Sequence, residues 1–159
     1  SDTCSGFVHW ACLASGADLV EGNSAFMFGV AAHARAINRR GPPLPGDLVF
    51  FRETYDRNRD RKRDDGITHV GLVERVEPDG TVVFIHRAVS GVRESRMNLR
   101  HPSQRRDGDG NLINDFIRRG NGKRRAPLAG EQFAGYGNLD QLYRHKTRLA
   151  VAGRQPSLR

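Results

Sequence analysis

Two β-rich runs, residues 69–77 and 81–86, constrain the fold more than any other feature of the sequence. They are joined by Pro78-Asp79-Gly80, residue types that favour a tight turn, and are therefore predicted to form an antiparallel hairpin. With a two-residue loop, opposed positions sum to an odd number, which places His69 and His86 on one face of the sheet. A three-residue loop would reverse this placement unless a bulge restored it.

A helix is predicted at the start of the chain, over residues 4–15. Its apolar residues recur at helical spacing, and either Asp2 or Thr3 can cap the first turn. Gly16 is a residue type that commonly ends helices. The helix therefore begins at a cysteine and stands upstream of the hairpin.

A second helix is predicted to be capped by Ser24, to carry an apolar stripe that reaches Ile37, and to stop at Gly41-Pro42-Pro43. A buried strand over residues 48–51 follows, and after it a polar loop over residues 53–66. Helices come first and clustered antiparallel strands come after, which is the order typical of the α+β class.

The remainder of the chain carries weaker signals. Residues 100–111 are predicted to be a loop and residues 112–118 a short helix. A basic turn over residues 120–125, a final helix over residues 139–149 and a frayed tail over residues 153–159 complete the prediction.

The charge balance indicates an anionic partner. The net charge is +8 and the isoelectric point is about 10.5, which suits nucleic acid, anionic lipid or bacterial wall polymer. Nucleic acid is disfavoured because the sequence has no zinc-finger spacing, no aromatic-basic strand and no long basic helix. No apolar run approaches the roughly 20 residues that a membrane span needs.

Cys4 is the candidate nucleophile. A cysteine in the first turn of a helix lies beside unpaired backbone N–H groups and the positive end of the helix dipole, which stabilise a thiolate. The same N–H groups, next to the small residues Ser5 and Gly6, can hold the oxyanion of a tetrahedral intermediate. The alternative is that Cys4 is a small buried apolar residue. Cys12 would lie about 12 Å further along the helix, too far for a disulfide.

A thiol nucleophile also needs a general base, and His69 is the candidate. His69 opens one strand of the predicted hairpin and His86 closes the other. If both share a face, His86 can orient the imidazole of His69, which is the third role in a catalytic triad. The alternative is that His86 is a hydrogen-bonded histidine at a strand end.

Four blocks of the sequence, spread over roughly residues 2–90, together resemble the NlpC/P60 and CHAP domains, which are cysteine peptidases. Each block is short, but the four occur in the order that these domains have. The blocks are Cys4-Ser5-Gly6-Phe7-Val8, Pro45-Gly46-Asp47-Leu48-Val49-Phe50-Phe51, His69-Val70-Gly71-Leu72-Val73 and Phe84-Ile85-His86.

The resemblance implies a papain-like α+β fold, in which the nucleophile helix packs on a small antiparallel sheet. It implies hydrolysis of peptide or amide bonds in bacterial peptidoglycan without a catalytic metal. By position it assigns Cys4 as the nucleophile, His69 as the base and His86 as the orienting residue. Thr3 departs from the pattern, since the family usually has Asp directly before the cysteine.

The resemblance also predicts how the chain is organised. Residues 1–159 would be a single catalytic domain of the NlpC/P60–CHAP type, with a core at about residues 2–90. Residues 91–150 would be a C-terminal extension and residues 151–159 a frayed tail.

The loop that starts at Asp56 has oxygen-bearing side chains at the spacing of calcium-binding EF-hand loops. It is predicted to bind a structural Ca²⁺ weakly and no other cofactor is expected. Arg61 stands where such loops have glycine, and Ile67 where they have a bidentate glutamate, so a solvated loop of mixed charge is the alternative. The predicted ligands are Asp56, Asn58, Asp60, Lys62 through its carbonyl, and Asp64.

We therefore expect a monomeric cysteine peptidase or amidase that is secreted or located in the bacterial cell envelope or periplasm and acts on peptidoglycan or its peptide fragments. Two alternatives remain open. One is a non-catalytic basic module that binds wall polymer or nucleic acid, and the other is a cysteine acyltransferase on the same scaffold.

Overall fold

The computed structural model describes residues 3–16, 22–118 and 125–152. Within these ranges, two helices precede a run of strands, and a short helix, a strand and a longer helix follow. The helices are α1 (Cys4–Ala14), α2 (Ser24–His33), α3 (Ala129–Gln132) and α4 (Leu139–Ala152). The strands are β1 (Ile37–Asn38), β2 (Leu48–Arg52), β3 (Ile67–Val76), β4 (Val82–Ala88), β5 (Gly91–Met97) and β6 (Phe133–Gly137).

The strands form one six-stranded antiparallel sheet in the order β1-β6-β2-β3-β4-β5. Helices α1 and α2 pack on β3. The predicted α+β class is therefore confirmed, and the small antiparallel sheet with a few helices agrees with the papain-like description. None of the helices in the described ranges has the length and apolar character that crossing a membrane would require.

Helix α1 begins where the sequence predicts. Thr3 is its N-cap, and the Thr3 Oγ1 atom accepts a hydrogen bond from the N–H of Gly6 at 3.0 Å. Asp2, the other predicted cap, lies outside the described residues. The buried side chain of Val8 anchors the helix in the core, so Cys4 is held at an ordered helix start.

Buried clusters lie on both faces of the sheet. Because successive side chains of a strand alternate between faces, Phe50 and Val70 point toward α1 and α2, whereas Phe51 and His69 point to the opposite face. The first cluster includes Val8, Cys12, Met27, Phe50 and Val70. The second includes Val49, Phe51, Val73, Phe84 and Met97.

The hairpin of β3 and β4 has a loop longer than two residues, and a bulge just after Val73 corrects the register. Such a bulge inserts one extra residue in one strand, which changes the face parity of everything beyond it. His69 and His86 therefore share a face, as the odd-sum alignment predicts. The pairs on either side of the bulge are Val76–Val82 near the turn and Leu72–Ile85 beyond it.

The second helix is capped by Asn23 and not by Ser24, because the Asn23 side chain accepts the N–H of Phe26, and the helix also ends earlier than predicted. Helix α2 ends at His33, and Arg35 then adopts a left-handed conformation with φ 54°. Ile37, predicted to lie on the helix, belongs to β1 and pairs with Gly137 of β6. The prediction was wrong because the helix ends at a non-glycine residue, which leaves no stop signal in the sequence.

The C-terminal half departs most from the prediction. Residues 112–118 form no helix; two isolated bridges pair Leu112 with Arg106 and Phe116 with Leu128. The final helix is confirmed as α4, whereas β5 and β6 were not predicted. Residues 120–124 of the predicted basic turn, and the predicted tail over residues 153–159, lie outside the described residues.

Candidate active site

The centre of the candidate site is a hydrogen-bonded pair of histidines. The Nε2 atom of His69 lies 2.7 Å from the Nδ1 atom of His86, and the two rings are nearly perpendicular. The rings of Phe51 and Phe84 pack beside them at centroid distances of 6.0 and 5.0 Å, respectively. The structure therefore brings together two of the three predicted triad residues, in fixed orientations.

Ser95 extends this pair. Its Oγ atom lies 2.9 Å from the Nε2 atom of His86, and both residues are almost fully buried. Ser95 lies on β5 directly opposite Phe84, so it is a diagonal neighbour of His86 on the same face. Sequence reasoning missed this residue because it missed β5.

Cys4 lies at the N-terminal end of α1 and against strand β3. The backbone N–H groups of Val70, Ser5 and Cys4 itself face the thiol, and Arg57 adds a positive charge nearby. Val70 directly follows His69 in β3, so the thiol lies at the backbone beside the candidate base. Sequence reasoning did not identify Arg57, whose guanidinium donates to the carbonyl of Ile67 at 2.6 Å.

The N–H groups of the helix start favour the thiolate of Cys4, as the sequence predicts, but burial outweighs them in the resting protein. Burial raises the pKa of the Cys4 thiol above its ordinary value. The three N–H groups and Arg57 act in the opposite direction, but desolvation of the half-buried thiol is the larger effect. At neutral pH the resting Cys4 is therefore a thiol. Cys12 is also a free thiol, and burial raises its pKa as well.

Both histidines are neutral at neutral pH. Burial lowers the pKa of His69 to about 4, and burial, His69 and then Arg93 together lower the pKa of His86 to about 3. A neutral imidazole has one donor and one acceptor nitrogen, so the pair can accept a proton from a neighbour. The structure thus combines a protonated thiol with a neutral candidate base.

The predicted oxyanion residues, Ser5 and Gly6, differ in what their backbone N–H groups contact. The N–H of Gly6 donates to Thr3 Oγ1, so it is engaged in capping the helix. The N–H groups of Ser5 and Cys4 face the thiol. Of the helix-start donors, these two are better placed than Gly6 to reach an oxyanion that forms on a carbonyl attacked by Cys4.

A cleft of about 870 Å³ opens beside His69 and His86. Its walls include Arg93 from β5, residues just after β2 and just after β4, and residues 116–118. Both apolar and cationic side chains line these walls. Further lining residues are Tyr55, Asp56, Arg87, Val89, Phe116 and Arg118.

The predicted calcium loop is closed at its base by Glu53, whose carboxylate accepts the N–H groups of Asp65 and Gly66. Within the described residues, no group of three or more His, Cys, Asp or Glu side chains could hold a metal ion. The calcium site stays a prediction. Three of its predicted side chains instead accept backbone N–H groups of the same loop: Asp56 from Arg61, Asn58 from Asp60, and Asp60 from Lys62.

Comparison with known proteins adds one match. The family model of the CHAP domain matches residues 1–88, a range that contains Cys4, His69 and His86 and includes more than half of the chain. No curated protein and no solved structure matches the chain significantly. Ser95 and Arg93 lie beyond the matched range.

Proposed function

The chain belongs to the CHAP domain family, and we propose that it is a cysteine hydrolase that cleaves peptide or amide bonds of bacterial peptidoglycan. Membership of this family implies an amidase or peptidase activity related to peptidoglycan. The observations that carry the finer proposal are the hydrogen-bonded chain from His69 through His86 to Ser95 and the Cys4 thiol at the backbone N–H of Val70, the residue that follows His69.

The first step of the proposed mechanism depends on the tautomers of the two histidines. The Nε2 atom of His69 is engaged with His86, so Nδ1 is the nitrogen left to accept the thiol proton. In that state His69 donates Nε2–H to Nδ1 of His86. His86 then carries its own proton on Nε2 and donates it to Ser95. In this arrangement Nε2 of His69 and both ring nitrogens of His86 have hydrogen-bond partners.

In the reaction, Nδ1 of His69 takes the proton of Cys4 as the sulfur attacks the carbonyl carbon of the scissile amide. The N–H groups of Ser5 and Cys4 hold the resulting oxyanion. When the C–N bond breaks, His69 returns the proton to the leaving amine, and a thioester on Cys4 remains. Water then attacks the thioester, gives a proton to His69, and releases the acid as the thiol is re-formed.

The substrate also fixes the proposed location. Peptidoglycan lies outside the bacterial cytoplasm, so the protein would work as a secreted, envelope-associated or periplasmic enzyme. It would serve either the remodelling of its own cell wall or attack on the wall of another bacterium.

A test of the proposal is to incubate the protein with purified peptidoglycan sacculi and to identify the released fragments by liquid chromatography and mass spectrometry. We expect new amine and carboxyl ends at one type of bond. Cys4→Ala should remove the activity, and His69→Ala should lower it by about 10²- to 10⁴-fold because the base is lost. Cys12→Ala is the matched control, since Cys12 is a buried thiol of the core, and it should remain active.

The non-catalytic wall-binding module is favoured by one observation, the raised pKa of Cys4. It predicts binding to sacculi with no release of fragments, and equal behaviour of the wild type and Cys4→Ala. The same incubation therefore separates the two functions.

A further inference from the structure

The cleft beside the histidine pair has an excess of positive charge. Three of its lining residues, Arg87, Arg93 and Arg118, are cationic, whereas Asp56 is the acidic side chain among the residues that line it. His69 and His86 contribute no charge at neutral pH because burial lowers the pKa of both. A ligand that fills this cleft lies next to the two histidines and meets a cationic wall.

Apolar surface lies next to these arginines. Tyr55, Val89 and Phe116 line the same cleft, and each has about half or more of its side chain exposed. Exposed apolar side chains in a concave site commonly contact the body of a ligand, while a few polar groups fix its orientation. The composition of the cleft thus suits a peptide that is partly aliphatic and carries negative charge.

Arg93 is the cleft arginine nearest to the proposed chemistry. It lies directly opposite His86 in the register of β4 and β5, and its charge contributes to the lowered pKa of His86. Its side chain is 48% exposed. Arg93 Nη2 forms an ion pair with Asp115 at 3.6 Å, too long for a direct hydrogen bond, and Nε donates a long hydrogen bond of 3.4 Å to the carbonyl of Glu94.

Arg118 is held differently. Its Nη1 atom donates to the carbonyl of Glu53 at 2.9 Å, which fixes the guanidinium in the cleft wall. A guanidinium has five N–H donors in a planar fork that matches a carboxylate. Among the described residues, the contacts of Arg93 and Arg118 account for only some of these donors, and Arg93 is the more exposed of the two residues.

We infer that this cleft is a binding site for a free carboxylate of the substrate, and that Arg93 is the residue that recognises it. The inference rests on the proposed function and makes it more specific, since it names a peptide that carries a free carboxylate beside the histidine pair. A peptide whose carboxylates are converted to carboxamides would bind poorly, because an amide offers the guanidinium neither charge nor two equivalent acceptor oxygens.

A substrate carboxylate at Arg93 would also act on the histidines. The charge of Arg93 is one of the causes that lower the pKa of His86. A carboxylate bound to the guanidinium would offset that charge, so the pair could share the proton of Cys4 more readily once the substrate is in place.

The test uses calorimetric titration of the Cys4→Ala protein, which binds without turnover. The probes are one peptidoglycan tetrapeptide in two forms, with free carboxylates and with all carboxylates converted to carboxamides. At 0.15 M salt we expect the carboxylate form to bind about tenfold to a hundredfold more tightly, the range of a charged hydrogen-bonded contact. Adding Arg93→Gln should remove this preference, and Arg93→Lys should restore only part of it, since lysine lacks the fork.

Arg40→Ala in the same background is the matched control. Arg40 is exposed and follows β1, at the opposite edge of the sheet from β5, so this variant removes one positive charge and should keep the preference. Thermal unfolding of each variant verifies that it is folded. Equal binding of the two peptide forms, no binding of either, or a preference that survives Arg93→Gln would each overturn the inference. Failure of hydrolysis alone would instead contradict the proposed function, because these titrations need no turnover.

Discussion

At the scale of single residues, the hydroxyl of Ser95 decides where the protons of the histidine pair reside. In Ser95→Ala, the Nε2–H of His86 loses its buried acceptor, so the proton is expected to move to Nδ1 of His86. His69 must then accept at Nε2 and carry its proton on Nδ1, where it can no longer take a proton from Cys4. We expect kcat on soluble peptide fragments to fall at least about tenfold with little change in KM.

Nitrogen-15 NMR of the imidazoles provides a readout that a merely structural role of Ser95 would not change. The tautomers of both histidines should differ between the wild type and Ser95→Ala. Ser95→Thr keeps the hydroxyl and should restore the wild-type tautomers, provided that thermal unfolding shows the extra methyl group is tolerated. Unchanged tautomers and an unchanged kcat in Ser95→Ala would refute this role.

The protonation states of Cys4 and His69 predict a distinctive pH dependence. Because the pKa of His69 is lowered to about 4, its proton-accepting form is present above that pH and is lost as the pH falls through about 4. The pKa of Cys4 is raised, so its thiol form persists past the usual range. We expect kcat/KM to be flat across neutral pH, with an acid limb near 4 instead of near 6.5. The measurement is a pH–rate profile on soluble fragments.

Alkylation of the free protein gives an independent check of the protonation states of Cys4 and His69. For a neutral thiol and imidazole, the rate at which iodoacetamide labels Cys4 should keep rising into the alkaline range. Cys4 should still react faster than the almost fully buried Cys12. A labelling rate that is already at its plateau in mildly acid solution would mean a resting thiolate–imidazolium pair, and would contradict the assigned states.

At the scale of elements, the sequence was informative wherever a local signal set the structure. The cap at Thr3 and the turn at Pro78-Asp79-Gly80 located α1 and the β3–β4 hairpin correctly. The shared face of His69 and His86 was also predicted. It depends on the bulge after Val73, however, and no residue type at that position predicts a bulge. A one-residue change of register would have placed the two imidazoles on opposite faces.

The elements that were missed lack such signals. Strand β5 is mostly polar along its exposed positions, so its alternation is weak, although Val89-Ser90 forms a two-residue loop before Gly91 that could have indicated a second hairpin. Ser95 and Arg93 depend on that register. Strand β6 pairs with β2, which is far away in sequence, and such long-range pairing leaves no local pattern. The net rise in the pKa of Cys4 was not predicted, because burial is a tertiary property.

At the scale of the whole molecule, residues beyond the family match complete the sheet and the candidate site that the matched residues begin. The match ends at residue 88, directly before β5. Strand β6 lies between β1 and β2 and pairs with both, while β5 supplies Ser95 to the histidine pair and Arg93 to the cleft. The sheet and the candidate site are therefore built jointly from both parts of the sequence.

The net charge of +8 predicts how the protein finds its substrate. Long-range attraction to an anionic wall polymer is screened by salt, since the Debye length falls from about 10 Å at 0.1 M to about 3 Å at 1 M. We therefore expect the fraction of protein that sediments with intact sacculi to decrease steadily as salt rises through this range. Sacculi stripped of their anionic accessory polymers serve as the control, and they should bind less protein at low salt and show a weaker salt dependence. Binding that is strong and independent of salt on both kinds of sacculi would contradict the electrostatic account, and would indicate that a short-range contact such as the cleft dominates attachment to the wall.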